Sequence, residues 1–184
     1  VNVGTFHAAR RSAWIYRTTR PLIRRLQRRL TGKIAVSEAA RDLVYQSYRG
    51  EYRIIPNGIN VDFYGAEVEP FTHLADGLFN ILFLGRLEKR KGPEYLLRAM
   101  QLVQQLRPRT RLLFVGGFRR GRRRAYQRQV DELGLKNVMF EGFVSNDDKR
   151  RYLKSCHALC SPALGGESQG IVLLEAMAAG APVV

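Results

Sequence analysis

The chain has 184 residues, 45% of them hydrophobic, and a formal net charge of +15. That length suits one sizeable domain or parts of two, and that hydrophobic share builds a packed core rather than a disordered polymer. No apolar run approaches the ~20 residues of a membrane-spanning helix.

Val1 to Phe6 reads as a strand. Residues 8 to 30 read as a basic helix that Pro21 breaks. It carries Arg10, Arg11, Arg17, Arg20, Arg24, Arg25, Arg28 and Arg29 with no acid between them, interleaved with Trp14, Ile15, Tyr16, Leu22, Ile23, Leu26 and Leu30. Two readings stand open: a surface helix packed on its own sheet, or a segment docked on an anionic leaflet. Lys33 to Val36 is a strand, and Ser37 is placed to cap a helix reaching about Tyr48. Tyr52 to Ile55 is a further strand, followed by a turn at Pro56-Asn57-Gly58. Residues 59–78 have no clear period and contain Pro70 and several acids, so an interdomain linker is expected there.

From residue 79 onward, strands and helices alternate. Phe79 to Leu84 is an apolar run closed by Gly85, and Pro93 to Leu106 has helical spacing with Pro93 in its first turn. Arg111 to Val115 is a strand ending at Gly116-Gly117, and a polar helix at about 122–133 ends at Gly134. It opens in a second basic cluster: Arg119, Arg120, Arg122, Arg123, Arg124 and Arg128. Val138 to Phe140 is a strand, Asn146 to Ser155 a helix capped by Ser145, and His157 to Ser161 a strand. A last helix and a strand at Pro182 to Val184 complete the series. Such alternation predicts an α/β fold with parallel, doubly wound sheets. Cys156 and Cys160, with His157 between them, lack the second ligand pair of a zinc site and read as core thiols. The chain opens and closes in apolar runs, so it reads as an internal stretch of a longer protein.

The most informative segment is Gly165-Gly166-Glu167-Ser168-Gln169-Gly170-Ile171, leading into a helix that contains Glu175. A Gly- and Ser-rich loop entering a helix leaves backbone N–H groups open to an anion. Glu167 before the helix and Glu175 about two turns along it would lie roughly 12 Å apart, far enough to hold two parts of one elongated ligand.

Three segments combine into a resemblance. They are Gly85-Arg86-Leu87-Glu88-Lys89-Arg90-Lys91-Gly92, the Glu167–Glu175 pair with seven residues between, and Ile55-Pro56-Asn57-Gly58-Ile59-Asn60. Their order resembles the retaining GT-B glycosyltransferases that use nucleotide-diphosphate sugars. Gly4-Thr5-Phe6-His7 and the wording around Glu167 look most like phosphatidylinositol mannosyltransferases and related bacterial enzymes. The resemblance implies two Rossmann-like domains with parallel sheets: 1–58 the end of an acceptor domain, 59–78 the linker, and 79–184 most of the nucleotide-sugar domain.

It also implies roles. Arg86 and Lys91 match the pair that holds the donor diphosphate, and Glu175 matches the residue that holds the ribose. Glu167 matches the residue that contacts hydroxyls of the donor sugar, with His7 nearby in the cleft. His7, Arg86, Lys91 and Glu167 are thus the expected catalytic group. Amides near Ser168, Gln169, Gly170 and Ile171 would face the phosphates, and Gly142, Phe143 and Val144 the nucleobase. Gln169 departs from the bulky residue often found at its position. The expected partners are a nucleotide-sugar donor and a lipid or glycan acceptor, with peripheral contact to anionic membrane at its cytoplasmic face. No D-x-D occurs, so neither a bridging metal nor a cofactor is expected. A basic module that binds nucleic acid or membrane without catalysis is the alternative. For nucleic acid it would need a reading element or aromatic platform, and the sequence shows neither.

Overall fold

The computed structural model describes residues 1–7, 24–46, 48–118 and 121–184. Of the expected basic helix, residues 24–27 are helical, and 8–23 lie outside the described residues, as do Arg119 and Arg120. The chain forms two compact units: Val1–Gly58 with Gly165–Ile171, and Ile59–Leu164 with Val172–Val184.

The first unit holds a parallel sheet of β1 (Val3–Phe6), β2 (Gly32–Ala35) and β3 (Arg53–Ile54), in that order. Ser37 caps α1 (Glu38–Tyr45), its hydroxyl accepting from the Ala40 N–H at 3.1 Å. Ala35, Val36 and Ala40 form the buried centre, with Tyr52 packed against them.

The second unit is built on a four-stranded parallel sheet in the order β6 (Val138–Gly142), β5 (Thr110–Val115), β4 (Phe79–Leu84), β7 (Ala158–Leu159). Helices α3 (Pro93–Leu106), α4 (Arg123–Glu132) and α5 (Asn146–Ser155) connect the strands, and α6 (Ile171–Ala178) follows β7. β5 is buried along its whole length. Its alternate residues feed two cores: Leu113 and Val115 join Leu82, Leu153, Leu159 and Ala176, while Leu112 and Phe114 join Phe83, Leu97, Met100 and Val130. This is the period of two expected of a strand covered on both faces. The expected strand at 182–184 is present only as a parallel bridge between Val183 and Leu159.

Residues 59–78, read from sequence as a linker, are packed into the second unit. They carry α2 (Val61–Gly65), capped by the Asn60 side chain, and a 3-10 turn at Thr72–Leu74. Tyr64 and Leu74 are buried in its core. Ile59, Phe63 and Phe71 pack beside them, but these contacts fall at irregular spacing, so the segment shows no period.

Asn80 interrupts the apolar run of β4 and is fully buried. Its amide donates to the carbonyls of Leu74 (2.8 Å) and Ser155 (3.1 Å), and its oxygen accepts from Arg111 at 3.1 Å. Arg111 also pairs with Asp76, and this hydrogen bond holds the Asp76 carboxyl below its usual range. His157 Nδ1 accepts from the Asn80 N–H at 2.9 Å, and its ring stacks on Phe79. The histidine between the two cysteines therefore serves the fold. Burial pushes the Cys156 thiol up to about 11 and raises Cys160 as well, so neither is primed as a thiolate. Among the described residues no helix is long and apolar enough to cross a membrane.

Candidate functional site

β4, β5 and β6 of the second unit end level with one another. The Gly85 N–H donates to the Val115 carbonyl at 2.9 Å, and the Gly116 N–H to the Gly142 carbonyl at 2.7 Å. The chain runs outward from β4 through β5 to β6, then returns to the other flank of β4 as β7. Ligands of open parallel sheets bind at the carboxyl ends of the strands, where the order reverses. The Arg86–Lys91 loop leaves β4 at that point.

Within this loop Leu87 is buried and bridges to Phe118, while Arg86 is exposed over 69% of its side chain and stands 4.0 Å from Glu88. Glu88 pairs with Arg90 at 2.8 Å. Lys91 closes a 3-10 turn, and Gly92, at φ +72°, opens α3. A Cβ at Gly92 would overlap the Pro162 carbonyl oxygen. The Leu164 N–H donates to the Arg90 carbonyl at 2.9 Å. The cationic loop is thus clasped by the segment that leaves β7. At the end of β6, Phe143 is exposed and its ring lies against Gly117, while Val144 packs on the core.

Glu175 is only 8% exposed. Its Oε1 accepts from the Tyr64 hydroxyl at 2.7 Å and from Lys149 Nζ at 2.8 Å. The ammonium also lies 5.0 Å from the centre of the Tyr64 ring. Burial works to lower the Lys149 pKa, but its bonds and charge interactions with Glu175 and Tyr64 outweigh that, and the value is raised. Burial likewise raises the Tyr64 phenol. A buried carboxylate needs such partners. The sequence signals that need but not which residues meet it, because Tyr64 is 111 positions away and Lys149 is 26. One expectation is corrected: α6 begins at Ile171, so Glu175 sits about one turn into it, not two, and the stretch from Glu167 to Gly170 is not helical.

The first unit holds the other expected residues. His7 directly follows Phe6 at the carboxyl end of β1 and is exposed. Glu167 and Ser168 are half-buried and Gly170 is buried. Gln169 forms two bonds with one residue: its Oε1 accepts from the Asn57 N–H at 2.6 Å, and its Nε2 donates to the Asn57 carbonyl at 2.8 Å. The Gln169 side-chain amide thus holds the Pro-Asn-Gly turn, while the amides expected to face the phosphates are those of the backbone. The structure gathers Arg86, Lys91, Gly142 to Val144 and Glu175 in one unit, and His7 with Glu167 to Ile171 in the other.

The model of the family described as glycosyl transferases group 1 matches residues 67–184. The chain belongs to that family. A phosphatidyl-myo-inositol mannosyltransferase of Mycobacterium leprae is 36% identical over 183 residues, which cover 99% of this chain and 48% of that protein. The corresponding mannosyltransferase of Propionibacterium freudenreichii is 32% identical over 182 residues, covering 98% of this chain and 44% of its own length. The chain thus spans about half the length of the curated relatives it matches. Among solved structures, Anabaena Alr3699/HepE, in complex with UDP and glucose, superposes with a TM-score of 0.81 at 23% identity, covering 98% of this chain and 51% of that one. WaaG, a glycosyltransferase involved in lipopolysaccharide biosynthesis, superposes with a TM-score of 0.70 at 27% identity, over 82% of this chain and 43% of that one. The α/β fold with parallel sheets is the one found in GT-B glycosyltransferases.

Proposed function

We propose that the protein carrying this chain is a retaining glycosyltransferase that moves a sugar from a nucleotide-diphosphate donor to a lipid or glycan acceptor. A mannosyl group and a lipid acceptor are favoured by the names of its relatives. The observation that carries the reading is the common sheet edge of the second unit. The Arg86–Lys91 loop leaves the carboxyl end of β4, where the strand order reverses, and the Gly142–Val144 turn leaves the carboxyl end of β6 at the same edge of the sheet.

In this reading Arg86 and Lys91 hold the diphosphate. Breaking the bond from the anomeric carbon to the phosphate oxygen leaves negative charge on the β-phosphate, and fixed cations lower the barrier to that step. Glu175 accepts from the ribose hydroxyls through a carboxylate whose Oε1 is already fixed by Tyr64 and Lys149. The base lies along Gly142 to Val144. Glu167 and His7 serve the transferred sugar, and the amides of 168–171 add donors for the phosphates. Transfer proceeds without a metal, and the enzyme works at the cytoplasmic face of a membrane.

The test is a thermal-shift panel of UDP-, GDP- and ADP-sugars on the full-length protein. A ligand bound to the native state raises its melting temperature. One nucleotide series should do so, and the shift should shrink in Glu175→Ala. No shift with any donor would overturn the proposal, and loss of transfer in EDTA would overturn metal independence.

A further inference from the structure

A cavity of about 520 Å³ opens in the first unit, and none of the residues assigned above lines it. It is lined by Arg24, Gln27, Arg28, Lys33, Gln46, Tyr48 and Arg49. Among the described residues the lining has four cations and no carboxylate, and none of the four cations is in an ion pair. Like charges around one hollow repel, and a counter-anion relieves that cost.

The position within the first sheet separates this cavity from His7. Lys33 is the second residue of β2, Arg28 precedes that strand, and Arg49 precedes β3. The hollow therefore lies at the amino ends of the strands, whereas His7 follows the carboxyl end of β1. Its walls are built as well as charged. Gln27 is 8% exposed and Tyr48 is 4% exposed. The Lys33 ammonium lies 5.6 Å from the centre of the Tyr52 ring. Gly50 leaves it room: a Cβ there would stand 2.6 Å from Lys33 Nζ.

We propose that this cavity is a docking site for a phosphate-bearing anion. Arg24, Arg28 and Arg49 supply planar donor forks suited to phosphate oxygens, and Lys33 supplies a point charge at the base. Gln27 and Gln46 add neutral donors. The phosphate is carried either by the headgroup of an anionic phospholipid or by a small soluble ion. The shared chemistry is a phosphate engaged by several cations at once. Gln at positions 24, 28, 33 and 49 removes the charge and keeps much of the side-chain bulk.

Two arms test this on the full-length protein. The first is flotation with vesicles of phosphatidylcholine alone and of phosphatidylcholine mixed with phosphatidylglycerol. The second is the melting temperature with and without inorganic phosphate. The R24Q/R28Q/K33Q/R49Q variant is compared with a charge-matched control, R98Q/R107Q/R124Q/R128Q, in which exposed arginines of the second unit are changed. On vesicles each cavity cation removed should weaken partitioning by about fivefold, while the control stays closer to the parent. A response confined to the mixed vesicles identifies the lipid source. A phosphate-dependent rise in melting temperature, lost in the cavity variant alone, identifies a soluble ion. Equal losses in the two variants would show that net charge alone acts, and would overturn the proposal, as would no response in either arm. If the fourfold variant melts early, Lys33→Gln alone gives the same comparison.

Discussion

Arg86 and Glu175 both belong to the second unit, yet the fold treats them in opposite ways. Arg86 stands on a loop whose neighbour Leu87 is buried, and most of its own side chain faces solvent. Glu175 is buried, with Tyr64 and Lys149 on one of its oxygens. A charge held in water costs the fold little, and a ligand must complete its position. A charge held inside must be compensated beforehand, so its geometry exists before any ligand arrives. Substitutions should therefore separate function from stability at the first residue and couple them at the second.

The largest effect is expected at the exposed end. Arg86→Ala should lower turnover by about 100- to 1000-fold, the usual consequence of removing one electrostatic contact to developing charge. Its unfolding free energy should stay within about 0.5 kcal/mol of the parent. Steady-state kinetics and chemical denaturation decide this, and a large loss of stability would break the contrast.

Glu175→Ala comes next. It strands the Lys149 ammonium and should cost about 3 kcal/mol of stability as well as nucleotide affinity. Adding Lys149→Met should recover much of the stability without recovering nucleotide binding by calorimetry. Recovery of both would mean that the carboxylate serves only the fold. Tyr64→Phe removes one donor to a charged acceptor. About 1.5 kcal/mol is expected from denaturation, with weaker nucleotide binding because Glu175 is less well held.

The Lys149–Glu175 pair also predicts a pH dependence. The folded pKa of Lys149 is raised above its ordinary 10.5. Its stabilisation is therefore complete below that value and is lost as pH rises through the folded pKa. The parent should lose its advantage over Lys149→Met in that alkaline window, and a constant difference there would refute the linkage. The smallest effect belongs to Asp76, whose carboxyl is lowered by Arg111. Its contribution is present above about 3.8 and fades as pH falls through the lower folded pKa, so Asp76→Asn should flatten the acid limb of a stability profile slightly.

Much of this architecture is legible in the sequence, and the reason is periodicity. β4, α3 and β5 each bury a repeating set of side chains, and Ser37 and Ser145 carry cap chemistry that is local by nature. The fold class and the cationic loop after β4 follow from such short-range signals. Tyr64, Lys149 and the Asn80–Arg111–Asp76 network do not, because each acts singly and across long stretches of chain. Gln169 is the instructive case. Its place in a glycine-rich loop suggests ligand contact through the backbone; its side-chain amide matches the N–H and carbonyl of Asn57, and no pattern within a window reveals a partner 112 residues earlier.

That pairing has a practical consequence for anyone dissecting the protein. The chain leaves the second unit at Leu164, is fastened in the first through Gln169, and re-enters the second at Val172. Cutting at Gly58 to isolate the second unit would discard Asn57, the partner of Gln169 in the loop that carries Glu167. The two halves of the polypeptide are stitched twice, once by the peptide bond after Gly58 and once by a borrowed loop, so a minimal fragment defined by sequence boundaries alone would be an untied one.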